Sequence, residues 1–278
     1  MTPSAKKQLQ RRQRRWAEAA NVEYDAHDAV ERLEDNLRVA LSSRAHEAFA
    51  GGPELEPRRS RRPKLHVLYS SAALVANVFD YWSEQDCAPL VSAFGLSGRC
   101  ERLCFEVPFP TALQGGAPTA DVVLTLDSGA RVAVESKFSE WLTRRPRHKA
   151  VFKAKYFPPD RAVWAERGLP RCQALAEALQ TRAERFKHLH AAQLLKHALG
   201  LAVSAQGEFA LCYLFYDCPS RESALHRLEV DRFAAHVGSE LRFSALTYQE
   251  LYRRLRASAM ADPAYLEYLS ARYFPEIR

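Results

Sequence analysis

Two neighbouring stretches near the middle of the chain alternate as β-strands do. Every second residue from Val122 to Leu126 is apolar, and the alternation resumes from Val132 to Lys137. Ser128-Gly129 lies between them, and a short glycine-containing turn that joins two alternating stretches predicts a β-hairpin. The run Val132-Ala133-Val134 is apolar on both faces, which predicts a strand that is buried on both sides.

Apolar residues at spacings of three and four predict helices along much of the remaining chain. The predicted helices cover residues 26–41, 68–82, 88–94, 171–203 (as one helix or two), 220–236, 248–259 and 263–273. Further strands are expected at 102–107, 209–216 and 241–246. Leu103, Phe105 and Val107 should share one face of the first of these strands. The poor alternation of 209–216 indicates a strand at the centre of the sheet.

The order of these elements predicts two unequal parts. Residues 1–64 form a basic N-terminal segment that docks on a domain at 65–278. The first 20 residues are expected to be loosely ordered, with a helix from Leu9 to Ala20 as the alternative. Residues 141–170 are basic, aromatic and proline-rich, and long irregular segments of this kind often carry function. The pattern alone specifies a mixed α/β or α+β fold class.

The composition is that of an ordinary soluble protein, with 47% hydrophobic and 26% charged residues in a chain of 278. No apolar run reaches the length needed to span a bilayer. The N-terminus lacks the apolar stretch of a signal peptide, so we expect a cytoplasmic protein with no membrane partner. The six cysteines are irregularly spaced without a C-x-x-C pair, which predicts reduced thiols.

The predicted hairpin carries the strongest candidate chemistry. Asp121 lies near the open end of its first strand, and Glu135 and Lys137 share one face of the second. Two carboxylates suit a hard divalent cation, which polarises a phosphate and acidifies a bound water. A neighbouring lysine neutralises charge that develops in the transition state. The alternative is a surface hairpin with ordinary charges, but charges at the end of a buried strand favour a functional role.

Basic residues are concentrated in three runs, within a chain whose net charge is +7. Each run could be a solvated or disordered segment, and this interpretation is preferred for the run at 6–15 over that at 58–64 or the third. The third run follows the candidate site and is well placed to bind a nucleic-acid backbone. Its candidate contacts are Arg144, Arg145, Arg147, Lys149, Lys153 and Lys155. The interleaved aromatic residues Trp141, Phe152, Tyr156 and Phe157 either pack in the protein or stack on bases.

The arrangement Pro118-x-x-Asp121 with Glu135-x-Lys137 resembles the signature of the PD-(D/E)XK nuclease superfamily. Further stretches across residues 65–217 resemble a bacterial restriction-endonuclease-like subgroup. These stretches are Leu68 to Leu74, Asn77-Val78-Phe79, Phe105-Glu106, Glu135 to Glu140, Arg171-Cys172-Gln173 and Gln193 to His197. The chain departs from the subgroup at Ala72 and Asp80, where a glutamine and a glycine are expected.

The resemblance implies a restriction-endonuclease-like αβββαβ core, with a central mixed sheet flanked by helices. It implies an endonuclease that cleaves DNA with Mg²⁺, for which Mn²⁺ can substitute, and a homodimer is a possibility. Asp121, Glu135 and the main-chain carbonyl of Ser136 would bind the metal, with Glu106 as a further ligand. Lys137 would position the attacking water, and Gln193 would orient the substrate.

Several alternatives stay open. Glu106 is equally compatible with an exposed strand position, and Glu140 with a surface role. Phe186, His190, Gln193 and His197 lie on one predicted helical stripe, whose polar members could instead form its solvent side. Arg182 and Lys196 are candidate phosphate contacts. The rival functions are an inactive nucleic-acid-binding protein on the nuclease fold and a nuclease that acts on RNA.

Overall fold

The computed structural model describes residues 4–57, 62–143, 151–204, 207–258 and 260–277. Its helices are α1 (Ala5–Ala19), α2 (Ser43–Phe49), α3 (Ser71–Phe79), α4 (Ala88–Ala93), α5 (Pro170–Thr181), α6 (Ala191–Ser204), α7 (Arg221–Val237), α8 (Tyr248–Ala257) and α9 (Pro263–Arg272). Its strands are β1 (Cys100–Pro108), β2 (Thr119–Leu126), β3 (Arg131–Lys137), β4 (Phe209–Phe215) and β5 (Phe243–Thr247). This order contains the expected αβββαβ core.

The five strands form one mixed sheet in the order β1-β2-β3-β4-β5. The first three are antiparallel neighbours, and β3, β4 and β5 are parallel. The predicted hairpin is confirmed, since Val122 pairs with Val134 and Gly129 adopts the positive φ of +79° that its turn requires. The parallel strands β3, β4 and β5 all end at the same edge of the sheet, which we call the carboxyl edge.

Helices cover both faces of the sheet, which gives the predicted α+β architecture. One hydrophobic core packs α3, α8 and α9 against residues such as Val132 and Val134. The second core packs α5, α6 and α7 against the opposite face, which includes Ala133. Residues Val132 to Ser136 of β3 are buried at every position, as the apolar run Val132-Ala133-Val134 predicts for the first three of them. Because the strand is covered on both sides, polar groups near its end must be paired within the protein.

Strand β1 changes face at Glu106. Glu106 has a φ of +45°, a left-handed conformation that is uncommon outside glycine. Leu103 and Phe105 belong to the first core, whereas Val107 packs against the second. The prediction that these three side chains share one face is therefore wrong for Val107, because the irregular backbone interrupts the two-residue alternation.

The basic N-terminal segment is a packed helix, so the prediction of a loosely ordered terminus is wrong and the helical alternative is correct. The side chain of Ser4 caps α1 by accepting a hydrogen bond from the backbone N–H of Lys7. Ala5, Leu9, Gln13 and Ala17 recur every fourth residue on the buried face. The division of the chain at residue 64 stays a prediction.

The predicted helix at 26–41 does not form. The backbone N–H of Val30 donates to His66 (2.9 Å), and that of Leu68 donates to Asp28 (2.9 Å). The side-chain amide of Asn36 donates to the carbonyls of Leu65 (2.6 Å) and Val67 (3.2 Å). Pairing with residues 65–68 satisfies these polar groups, and tertiary pairing of this kind overrides helical periodicity.

The aromatic residues of the insertion pack inside the protein. Trp141, Phe152 and Tyr156 are all buried in the second core, which decides for packing over base stacking at these positions. The long helical prediction at 171–203 is confirmed as two helices, because Arg182 ends α5 in a left-handed conformation with φ +65°. No helix within the described ranges is both long and apolar enough to cross a membrane.

Candidate active site

The site lies where the β2–β3 ladder opens at the carboxyl edge. The last paired residues are Val122 and Val134. Beyond them, the Asp121 carboxylate accepts a hydrogen bond from the backbone N–H of Ser136, with an Oδ2···N distance of 2.6 Å. This bond fixes the first carboxylate beside the strand that carries Glu135 and Lys137, so the structure brings the three predicted residues together.

Glu135 is the buried centre of this arrangement. Its side chain is only 1% exposed, and the Lys137 ammonium forms an ion pair with Oε1. Nε2 of His197 lies 2.8 Å from Oε2, although the two groups are not aligned for a regular hydrogen bond. Burial alone would raise the pKa of Glu135, but Lys137 and His197 outweigh it and lower the pKa to about 2.

Lys137 links two of the groups that were predicted to bind metal. Besides its ion pair with Glu135, Nζ donates to the main-chain carbonyl of Ser136 at 3.0 Å. Burial opposes the charge on Lys137, but Glu135 and Asp121 raise its pKa above the usual value. The ammonium group therefore contacts both the Glu135 carboxylate and the Ser136 carbonyl, which are two of the candidate metal ligands.

Glu106 and Asp121 form the more open side of the site, and both are partly exposed. Burial, followed by the negative charge of Asp121, raises the pKa of Glu106 to about 8. Burial, followed by the charge of Glu135, raises the pKa of Asp121 to about 7. Crowded carboxylates with raised pKa values gain stability when a cation joins them.

The chemistry of these donors suits a hard divalent cation with several water ligands. Within the described residues, no three His, Cys, Asp or Glu side chains are close enough to form a metal cage on their own. Mg²⁺ does not need such a cage, because proteins usually bind it through one or two carboxylates and retain waters. Asp121 and Glu135 could supply those carboxylates, and the role of Glu106 as a further ligand stays a prediction.

His197 is the residue that sequence reasoning missed. It lies on α6, is fully buried, and was assigned only to a stripe whose polar members could face solvent. That stripe is wrong for Phe186 and His190, because α6 begins at Ala191. Gln193 lies one turn before His197 and is partly buried, and its role stays a prediction. The spacing of Gln193 and His197 was the only available signal, since histidine is frequently buried without a catalytic role.

The predicted nucleic-acid contacts differ in their surroundings. Arg144, Arg145, Arg147 and Lys149 lie outside the described residues. Lys153 is exposed, whereas Lys155 donates to the carbonyl of Gln114 at 2.6 Å. Nζ of Lys196 lies 5.3 Å from the centre of the Phe152 ring, which is a cation–π distance. Lys155 and Lys196 therefore have contacts within the protein in this structure.

Two other polar groups near the site have internal roles. The Glu140 carboxylate accepts hydrogen bonds from the backbone N–H groups of Phe138 (2.8 Å) and Ser139 (3.0 Å). The hydroxyl groups of Ser136 and Tyr248 lie 2.6 Å apart in the first core. These contacts fix the chain on both sides of Lys137, which favours a rigid site.

Comparison with known proteins identifies a family. Searches of curated proteins and of solved structures found no match. Residues 10–274 match the sequence family described as Restriction Endonuclease associating with ARP. The match includes α1 from residue 10 onward, the complete sheet and α9, and it agrees with the restriction-endonuclease-like resemblance of the hairpin. The chain therefore belongs to the family of restriction endonucleases associating with ARP.

Proposed function

We propose that this protein is a divalent-metal-dependent nuclease that hydrolyses phosphodiester bonds in DNA. One observation carries the proposal: Asp121, Glu135 and Lys137 converge at the end of β3, joined through the backbone of Ser136. Family membership supports a nuclease. The electrostatics of the carboxylates supports a cation at this position, because Glu106 and Asp121 have raised pKa values without one.

Each residue has a distinct task in this proposal. Asp121 and Glu135 hold Mg²⁺, which when bound supplies the Lewis acidity that polarises a phosphate and activates water. Lys137 donates to the phosphate oxygens as negative charge develops in the transition state. His197 keeps the Glu135 carboxylate in place from the neighbouring helix, and Gln193 orients the substrate. The main-chain carbonyl of Ser136 becomes available as a ligand when Lys137 turns toward the substrate.

The energetic cost of burying the charges of the site argues against an inactive nucleic-acid-binding protein. Burying Glu135 and Lys137 requires desolvation of two charges, and a buried ion pair is often no more stable than apolar residues of similar size. An inactive binding protein could replace both without loss of its function. Retention of the complete charged set, with His197 packed behind it, is what a catalytic site requires.

The test is cleavage of plasmid and single-stranded DNA with Mg²⁺ or Mn²⁺, by the wild type beside Lys137→Ala. Lys187→Ala is the matched control, because Lys187 is an exposed lysine outside both the site and the candidate nucleic-acid contacts. We expect cleavage by the wild type and the control, and none by Lys137→Ala or in EDTA. DNA binding without cleavage would favour the inactive-binder alternative, and cleavage restricted to an RNA substrate would favour the RNA nuclease.

A further inference from the structure

Helix α1 carries most of the excess positive charge of the protein. It contains six lysine and arginine residues and one glutamate, a net charge of +5, compared with +7 for the whole chain. Lys7, Arg11 and Arg15 are exposed and recur every fourth residue. Residues four apart lie about 6 Å apart along a helix axis and on one face. The helix thus presents a row of three cations to solvent.

These three cations differ from their neighbours, which stabilise the fold. Arg12 donates to the hydroxyl of Tyr216 and forms an ion pair with Glu276. Arg14 forms an ion pair with the buried Asp28. By contrast, the described residues provide no ion-pair partner for Lys7, Arg11 or Arg15. Their side chains are therefore available to an external anion.

The row is unfavourable for the helix itself. Like charges four residues apart repel each other, and cations near a helix N-terminus oppose the helix dipole. The buried contacts of Leu9, Gln13 and Ala17 offset this unfavourable energy. These contacts do not depend on the three exposed cations. Residues that destabilise a helix locally and do not stabilise the fold elsewhere are typical of functional positions.

Two adjoining hollows give the row a surface that a ligand could follow. A hollow of about 710 Å³ includes Arg11, Arg12 and Arg15. A second hollow of about 630 Å³ lies at the ends of β4 and β5 and includes Arg227, Arg253 and Arg254. Both hollows include Arg12 and Glu276, so they adjoin at this ion pair. Their linings contain six arginines and three carboxylates, which leaves a net charge of +3.

Direct contacts connect α1 to the candidate active site. Arg12 donates to the hydroxyl of Tyr216 at 2.6 Å. The backbone N–H of the same Tyr216 donates to the carbonyl of Lys137 at 2.8 Å. At the start of α1, Lys6 donates to the hydroxyl of Thr143 at 3.2 Å, six residues after Lys137. The basic helix is therefore held at the carboxyl edge where cleavage is proposed.

We propose that the exposed face of α1 binds the phosphate backbone of the DNA substrate and directs it toward the site at Asp121 and Glu135. The proposal rests on the proposed nuclease function and adds a substrate-binding surface to it. The row of Lys7, Arg11 and Arg15 supplies backbone contacts that do not depend on sequence. The arginine-lined hollows continue this surface across the ends of β4 and β5.

The test compares two double variants by the salt dependence of DNA binding. One is Arg11→Gln with Arg15→Gln. The matched control is Arg99→Gln with Arg242→Gln, which removes the same charge from the opposite edge of the sheet, next to the starts of β1 and β5. All proteins carry Asp121→Asn to prevent cleavage, and fluorescence anisotropy measures the affinity for a labelled duplex with Mg²⁺ at several salt concentrations.

We expect the α1 variant to have a log–log salt slope that is less steep by about 1 to 2 units, since each lost phosphate contact removes about 0.9. The control should keep the parental slope, and both variants should keep the parental melting temperature. An unchanged slope in the α1 variant would overturn this inference, while DNA cleavage by the wild type would leave the proposed function standing. If the wild type cleaves no DNA and the parental protein binds none, both proposals fail together.

Discussion

Nε2 of His197 lies 2.8 Å from Oε2 of Glu135, between α6 and β3. Both side chains are almost completely buried, and Nδ1 of His197 has no hydrogen-bond partner within the described residues. The imidazole therefore has Glu135 as its polar neighbour, on the side opposite to Lys137. This arrangement makes His197 a positioning residue for the carboxylate that is proposed to bind metal.

His197→Ala should lower the affinity for Mn²⁺ by about 10- to 100-fold, the usual effect of removing a group that orients a metal ligand. Isothermal titration of Mn²⁺ into the protein measures this without reference to cleavage. His197→Gln should recover much of the affinity, because its amide can donate to Glu135 from a similar distance. Wild-type affinity in His197→Ala would show that the contact is structural only.

Gln193→Ala, one turn earlier on α6, provides a contrast. Gln193 is predicted to orient the substrate, and its replacement should reduce cleavage while leaving the affinity for Mn²⁺ unchanged. Parallel loss of metal affinity in both variants would instead indicate that α6 as a whole shifts. Thermal unfolding of each variant distinguishes that outcome from a local effect.

Lys137→Met should separate metal binding from catalysis. Without a metal ion, the variant should be destabilised by roughly 3 kcal/mol, because the buried Glu135 loses its main counter-charge. Mg²⁺ should then raise its melting temperature more than that of the wild type, since no ammonium competes for Glu135 and the Ser136 carbonyl. Cleavage should fall by about 10²- to 10³-fold. A smaller thermal shift with Mg²⁺ than in the wild type would contradict the competition.

His226 should make the stability of the protein depend on pH. Burial lowers its pKa to about 3, with smaller effects from His188 and Arg227 in the same direction and from Asp217 in the opposite direction. The ring stacks on Trp141 at 4.5 Å and packs edge-on against Phe215, and Nε2 lies 2.9 Å from the Tyr213 hydroxyl. These neighbours leave no room for a hydrated imidazolium.

The sign follows from the unfolded chain, in which the pKa of a histidine is near 6.5. Between pH 6.5 and about 3, unfolded His226 binds a proton that the folded protein excludes. The contribution of His226 to the free energy of unfolding is thus complete above pH 6.5. It is lost as the pH falls, by at most about 1.4 kcal/mol per pH unit. In His226→Phe, the free energy of unfolding, measured with urea at pH 6, 5 and 4, should depend less steeply on pH than in the wild type. An equal slope in both proteins would refute the assignment.

Arg272 should be a principal anchor of the N-terminal segment. Its fully buried guanidinium donates to the Gln13 side chain (3.2 Å), to the carbonyls of Asn36 (2.7 Å) and Leu68 (3.2 Å), and to the Tyr268 hydroxyl (2.8 Å). Lysine cannot reproduce this planar set of donors. We expect Arg272→Lys to lower the free energy of unfolding by about 2–4 kcal/mol, because several buried acceptors lose their partners.

Arg161→Lys is the matched control for that variant. Arg161 is exposed and pairs with Glu166 at the surface, so its replacement should not measurably change the denaturation midpoint. If Arg272→Lys also left the midpoint unchanged, the buried network would be dispensable. DNA binding should fall with stability in Arg272→Lys, because α1 depends on this anchor.

The sequence by itself determined the elements that local patterns encode. Alternation predicted the β2–β3 hairpin and its burial, and residue spacing placed Glu135 and Lys137 on one face of β3. These predictions hold because the two-residue repeat of a strand fixes which side chains are neighbours. Asp121 could be placed near them for the same reason, since a tight turn determines the register of a hairpin.

Only the tertiary structure decided the contacts between distant segments. His197 reaches Glu135 across 62 positions of sequence because α6 packs on β3, and no local pattern records that packing. The unusual backbone of Glu106 moved Val107 to the other face, and pairing with residues 65–68 replaced the helix predicted at 26–41. The basic N-terminus was predicted to be a solvated tail because its run of charges is visible in the local sequence. The residues that anchor it, Tyr216, Arg272 and Glu276, lie far along the chain.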